Sequence, residues 1–320
     1  MGHTTRRLRF FSIVWVLLFP SHSTSTDPKH EPKNIFILAG QSNMAGRGGI
    51  IDSYASRSQI WDGIVPPACR PNPSILRLNA KLAWEEAHEP LHAGIDVYNI
   101  NGVGPGLAFA NAVLAKNTDF GVIGLVPCAI GGTNISQWEK GGLLYERMVK
   151  RARASVEDGN GIIQALLWYQ GESDTVVRKD AETYKQRLEK LFDDIRLDLM
   201  SPMLPIIQVA LASGEGRFID KVREAQFGTE LLNVRTVDPL GLAVRSDKLH
   251  LTTESQVRLG RMMANAFIQF LPNHLSSTTT STQTSSSSPT KSSNLNLIHI
   301  AFIPFFNILL LILTVLSHFV

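Results

Sequence analysis

Three segments far apart in the chain carry the residue types of nucleophilic catalysis: Gly40-Gln41-Ser42-Asn43, Gly131-Gly132-Thr133 and Asp247-x-x-His250. A serine hydroxyl is a poor nucleophile at neutral pH unless a base takes its proton. His250 can be that base. Asp247, three residues earlier, can hold the imidazole tautomer and offset the imidazolium that forms. An acyl-transfer site also needs donors aimed at the developing oxyanion. The Ser42 backbone N–H is one candidate. The Gly131-Gly132 turn offers another, because neither residue has a side chain to obstruct approach. The Gln170 side-chain amide is a third. Gln41, Asn43 and Glu172 are read as supports, with Glu172 buttressing loops by accepting backbone N–H bonds. Each piece also has an ordinary reading: a serine caps helices, Gly-Gly is a turn, Gln170 is a strand-end hydrogen bonder, and an Asp-x-x-His pair is common. The chemistry therefore depends on whether the fold brings them together.

The elements around these residues suggest that it does. Ile35 to Ala39 is an apolar run of strand length that stops at Gly40. Further strands are predicted at Ile75–Leu78, Phe120–Val126, Ile162–Tyr169, Pro205–Leu211 and Val234–Val237. Helices are predicted at Leu82–Ala87, Leu107–Leu114, Leu143–Val156, Ala181–Leu199 and Phe218–Phe227, with a last one running to Leu271. Thr253 and Gln256 fit a capping box at the start of that last helix. Arg47 to Pro73 reads as loop. Gly102-Val103-Gly104-Pro105-Gly106 does not directly follow a clear strand and has the wrong spacing for a nucleotide loop, so it is read as a structural turn. Strands alternating with helices imply a mostly parallel α/β sheet covered on both faces. In such a sheet the carboxyl ends of the strands line one crevice, where the three segments would converge.

Ile37-Leu38-Ala39-Gly40-Gln41-Ser42-Asn43-Met44 with Gly46, and Trp168-Tyr169-Gln170-Gly171-Glu172-Ser173-Asp174, are long and unusual strings. With Gly131-Gly132-Thr133 and Asp247-x-x-His250, the chain from about Asn34 to Leu271 resembles the SGNH (GDSL-like) hydrolases. Within them it resembles the plant carbohydrate esterases related to sialate O-acetylesterase and carbohydrate esterase family 6. The resemblance implies a three-layer α/β/α sandwich with a flavodoxin-like sheet, and Ser42, Asp247 and His250 as a triad. It also implies an oxyanion hole from Ser42, Gly131 or Gly132, and Gln170. This branch carries Gln-Ser-Asn in place of Gly-Asp-Ser-Leu, and Gln170 where the name-giving asparagine would stand. The activity implied is a serine esterase removing acetyl groups from carbohydrate, wall polysaccharide foremost. The competing classes are a non-catalytic carbohydrate-binding surface protein and an esterase of small or lipid esters. Keeping Ser42, Asp247 and His250 together disfavours the binding module, and the lack of an evident apolar lid disfavours a lipase.

Composition narrows the partners. With a net charge of only +3 and no basic stripe interleaved with aromatics, nothing points to nucleic acid. No Cys/His cluster has metal-ligand spacing, and neither a metal nor a cofactor is expected. Residues 1–26 have the arginines, apolar stretch and small-residue exit of a secretory signal peptide. In that compartment Cys69 and Cys128 either form a disulfide or are two small buried residues. Residues 27–275 form the esterase domain, and residues 276–294 a Ser/Thr-rich disordered stalk. Residues 295–320 are a hydrophobic tail, read as a glycosylphosphatidylinositol (GPI) attachment signal or a transmembrane helix. The absence of a following Lys or Arg favours the lipid anchor and an extracellular, membrane-tethered address. Asn134-Ile135-Ser136 is a glycosylation sequon beside the oxyanion turn, where a glycan would block substrate, and is read as unused.

Overall fold

The computed structural model describes residues 31–53 and 58–271. The segments read as signal peptide, stalk and hydrophobic tail lie outside them. Nine strands form within the described residues. Seven make one sheet: β1 (Lys33–Gly40), β4 (Ile75–Leu78), β5 (Trp84–Glu86), β6 (Val122–Pro127), β7 (Gly161–Tyr169), β8 (Ile206–Val209) and β9 (Val234–Val237). Their order is β5-β4-β6-β1-β7-β8-β9, parallel throughout except for the β4–β5 pair at one edge. Setting that edge pair aside, the remaining strands run in the flavodoxin-like order 2-1-3-4-5. The order reverses at β1, between β6 and β7, and there the crevice of an open α/β sheet opens.

The long apolar run of β1 follows from its central place. Ile35 to Ala39 are all fully buried, because a parallel strand covered on both faces has no solvent side to alternate toward. Phe36 packs edge-on against Phe109 of helix α2 (Pro105–Lys116) and Phe267 of helix α6 (Thr253–Ile268), with centroids 4.9 and 4.8 Å away. Phe36 pairs with Ala165, so Trp168, three residues further along β7, points to the opposite face. There it meets Trp138 and Phe192 of helix α4 (Arg178–Asp198). Helix α3 (Leu143–Ala154) joins that layer through the Tyr145 hydroxyl on Asp198, and α5 (Ile219–Phe227) through Gln226 on the Tyr184 hydroxyl. The result is the expected three-layer sandwich. Burying a side chain such as Phe36 or Ile37 contributes about 1.5–3 kcal/mol each, so both faces of β1 anchor the turn that follows it.

Several local expectations need correction. Leu82–Ala87, read as a helix, instead contains β5, which pairs antiparallel with β4 through Arg77↔Glu85. A short segment takes whatever conformation its sheet neighbour rewards. The Arg47–Pro73 region contains a hairpin, β2 (Ile50–Ser53) with β3 (Ser58–Trp61), and a 3-10 turn at Pro67–Cys69. Helix α6 is capped by Thr252, whose hydroxyl accepts from Ser255 N. The predicted partner Gln256 instead donates to Asn43 O at 3.1 Å. Cys69 and Cys128 are both free and buried. Cys69 lies by Ala108 and Arg261 on the α2–α6 side, while Cys128 lies by Arg151 on the α3 side, so the sheet stands between them. The 102–106 glycine turn is structural, as read: it bonds to the segment after α1 through Gly102 N on Gly46 O and Val103 N on Gly48 O. Among the described residues, no helix is long and apolar enough to cross a membrane.

Candidate active site

Strand β1 ends at Gly40, whose φ of +128° favours glycine, and an added Cβ would land on the Tyr169 carbonyl of β7. Gln41 N donates to that same carbonyl at 2.9 Å, and one helical turn, α1 (Ser42–Ala45), begins at once. This sharp strand-to-helix turn lifts Ser42 to the sheet's carboxyl edge beside β7. A histidine arrives from the far end of the chain. Residues 244–251 form a tight hairpin closed by a Val244–Leu251 bridge and by Arg245 N on His250 O at 2.7 Å. His250 Nε2 stands 2.9 Å from Ser42 Oγ, and its Nδ1 is 2.9 Å from Asp247 Oδ2. The other carboxylate oxygen of Asp247 accepts the Leu249 and His250 backbone N–H groups, each at 2.9 Å. This leaves Nδ1 as the protonated nitrogen and Nε2 free to accept from the serine.

The electrostatics fit a base that is neutral at physiological pH. Burial holds His250 below its ordinary value against the upward pull of Asp247, and Arg47 and Arg245 add to the depression. Burial alone would raise Asp247. The hydrogen bonds from His250 and Leu249 outweigh it, and the carboxyl lies below its usual range.

The support beneath Ser42 is dense. Asn43 is fully buried and grips the His250 hairpin on both sides: its Oδ1 accepts Leu251 N at 2.9 Å and its Nδ2 donates to Leu249 O at 3.3 Å. Nδ2 also donates to Glu172 Oε1 at 2.8 Å. Gln41, with its amide turned to satisfy both ends, donates to Glu172 Oε2 at 3.2 Å and Thr133 O at 3.0 Å. Glu172 thus accepts from two side-chain amides of the serine turn as well as from its own backbone N–H. Burial pushes it up to about 7, and burial does the same to Asp174.

The oxyanion side is met in part. Gly131 and Gly132 line one cleft with Ser42 and His250, and Gly132 has the left-handed φ of +69°. A Cβ on Gly131 would sit 2.5 Å from Arg47 Nη2. Among the described residues, the N–H groups of Ser42, Gly131 and Gly132 are spent on no protein acceptor. Gln170, expected as a further donor, lies fully buried under the site. Its two amide protons go to Thr133 O (2.7 Å) and Asp174 Oδ2 (2.6 Å). A primary amide has only two, so Gln170 holds the end of the glycine turn and leaves the oxyanion to backbone donors. Asn134 caps the following 3-10 turn, Ile135–Trp138, through a capping box.

The cleft, of about 350 Å³, is the size of a small-ligand pocket. The sequence reasoning missed its other polar walls: Arg47, Gln59, Asn99, Glu215 and Arg245. Arg47 and Arg245 adjoin motifs the sequence did single out, but adjacency says nothing about which way a side chain turns. Arg47 is tied to buried Asp96 at 2.5 Å and to Asn101 at 3.1 Å, which fixes the 96–101 loop over the cleft.

This sheet, with a serine at its switch point and an Asp-x-x-His hairpin returning over it, defines an SGNH-type α/β/α hydrolase. Residues 32–269 match the family model described as carbohydrate esterase, sialic acid-specific acetylesterase, and the chain belongs to that family of ester-bond hydrolases. A curated relative described as a "probable carbohydrate esterase" of Arabidopsis thaliana is 59% identical over 238 residues, 74% of this chain and 91% of that protein. The X-ray structure of the same Arabidopsis protein matches with a TM-score of 0.72 and 57% identity, covering 75% of this chain and 99% of that one. NanS shares the fold at a TM-score of 0.56 and 16% identity, over 75% of this chain and 98% of its own. A carbohydrate acetylesterase from Xanthomonas citri shares it at 0.53 and 18%, over 74% and 56%.

Proposed function

We propose that the protein is a serine esterase that removes O-acetyl groups from carbohydrate, wall polysaccharide foremost, through an acyl-enzyme. The observation that carries this reading is the continuous Ser42–His250–Asp247 hydrogen-bond chain, 2.9 Å at each link, facing an open cleft. His250 Nε2 takes the Ser42 proton as Oγ attacks the ester carbonyl, and the backbone N–H groups of Ser42 and the glycine turn hold the oxyanion. The imidazolium gives its proton to the departing sugar alcohol. Water, activated by the same histidine, then releases acetate. The cleft walls, rich in Arg, Asn, Gln and Glu, suit a hydroxylated ring better than an acyl chain.

A fluorophosphonate probe is expected to bond covalently to Ser42, located by mass spectrometry of the labelled peptide. In parallel, acetate release from acetylated xylan, acetylated pectin and O-acetylated sialic acid ranks the substrates. Failure to label Ser42 in protein that still hydrolyses an aryl acetate removes the serine mechanism. Acetate released from none of the three polymers and sugars, with aryl acetate still turned over, returns the reading to an esterase of small esters.

The address is proposed on sequence grounds alone: the basic-then-apolar N-terminal segment and the hydrophobic tail behind a polar spacer support a GPI-tethered surface enzyme. Phosphatidylinositol-specific phospholipase C is expected to release it from membranes. Retention after complete digestion favours a transmembrane tail.

A further inference from the structure

Two arginines line the cleft, and the proposed mechanism uses neither. Arg47 is accounted for by its pairing with Asp96 and Asn101. Arg245 is placed differently. Its Nη1 lies 2.9 Å from Asp247 Oδ2, the same oxygen that receives His250 Nδ1. Its Nη2 donates to Ile50 O at 2.8 Å, on the β2 strand that walls the cleft. Its backbone N–H closes the hairpin on His250 O. One residue therefore touches the orienting carboxylate, the hairpin that carries the base and the facing wall.

We propose that Arg245 is a positioning residue for the base, its guanidinium tying Asp247 to β2 and through Asp247 fixing the ring of His250. The inference rests on the Ser42–His250–Asp247 reading above. Asp247 has two oxygens and four donors: two backbone N–H groups on Oδ1, His250 and Arg245 on Oδ2. Without Arg245, Oδ2 keeps His250 as its one donor, and the carboxylate, held at Oδ1 by the hairpin's own N–H groups, loses its tie to β2. A planar guanidinium can reach Asp247 and Ile50 O together, whereas an ammonium on a flexible stem cannot hold both in a fixed geometry.

Arg245 also contributes charge. The groups facing His250 are Asp247 and Arg245 on its own hairpin, Arg47 and Glu215 across the cleft, and Glu172 behind Asn43; Lys248 is exposed at the hairpin tip. Removing the positive charge of Arg245 favours the imidazolium. A base that must be neutral then works only at higher pH, so the acidic limb of kcat/KM moves upward.

The test is kcat/KM and kcat for an aryl acetate from pH 4.5 to 9, with melting temperatures, for wild type, Arg245→Gln, Arg245→Lys and a His250→Ala control. Arg245→Gln is expected to lower kcat about tenfold and move the acidic limb up by about half a unit. Arg245→Lys is expected to return the limb to its wild-type position while kcat stays low, separating charge from geometry. Arg245→Gln with wild-type kcat and limb overturns the inference. So does a loss of kcat without a limb shift that only tracks a fall in melting temperature. If Arg245→Gln does not fold, Arg245→Lys decides: reduced kcat at an unmoved limb supports the role, and wild-type kcat overturns it. Full turnover in His250→Ala is a different outcome, because it removes the triad reading itself.

Discussion

Ser42→Ala is expected to lower kcat for an aryl acetate by about 10⁴-fold or more while leaving the fold intact. The size follows from what the hydroxyl alone supplies. His250 can accept a proton only from the group at its Nε2, and that group is Ser42 Oγ, 2.9 Å away. Alanine offers no oxygen, so the covalent route closes and only water assisted by the histidine and the backbone donors remains. The same geometry limits the structural cost. The serine hydroxyl makes one protein hydrogen bond among the described residues, toward the cleft, and its loss is worth about 1 kcal/mol or less. The backbone N–H of residue 42 persists in the variant, so substrate binding should change far less than turnover. The checking measurement is kcat and KM for an aryl acetate alongside a melting curve. Turnover within tenfold of wild type by folded Ser42→Ala excludes Ser42 as the nucleophile.

Asn43→Ala should be the most damaging change just outside the reacting atoms, reducing kcat about 100-fold and stability by about 2–4 kcal/mol. Asn43 bonds Leu249 O, Leu251 N and Glu172, and its removal leaves the buried Leu251 N–H without its acceptor and Glu172 Oε1 without its side-chain donor. It also loosens both shoulders of His250, Leu249 O keeping only its bond from Ser213 Oγ, so the ring aims less firmly at Ser42. Denaturation and kcat should fall together, with the serine still present. An Asn43→Ala protein of wild-type stability and turnover would show that the hairpin is held elsewhere.

Glu172→Gln separates the anchor from its charge. Burial raises Glu172 in the folded state to about 7, well above the ordinary carboxyl value near 4.3, so between those values the folded protein holds the extra proton. The associated stability is fully present below about pH 4 and is lost as pH rises through about 7. Wild type should therefore be less stable at pH 8 than at pH 5, and Glu172→Gln should narrow that difference. Asp174 and Glu89, raised by burial to about 7 and about 8, retain their shares. An undiminished difference in Glu172→Gln assigns the effect to Asp174 and Glu89.

The candidate site of this chain was legible wherever a short string carries both its element and its polar residues. Ile35 to Ala39 must be a central strand, since only a strand covered on both faces is apolar without alternation, and Gly40 must end it. The serine therefore stands at a strand end, and Asp247-x-x-His250 is compact enough for one hairpin to bring its carboxylate and imidazole together. Those inferences need only near neighbours along the chain. What the tertiary structure decided depends on which partner each group meets, whether 4 residues away or 195. The segment with Trp84 is a strand because β4 offers it an edge. Cys69 and Cys128 stay apart because the sheet lies between them. Gln170 is drawn under the site because Thr133 O and Asp174 take both its amide protons. Arg245 reaches the facing wall because β2 folds back across the cleft. Local pattern names the candidate site residues. Only the folded chain assigns each side-chain donor its acceptor, because hydrogen-bond capacity is finite and the competition for it is settled in three dimensions.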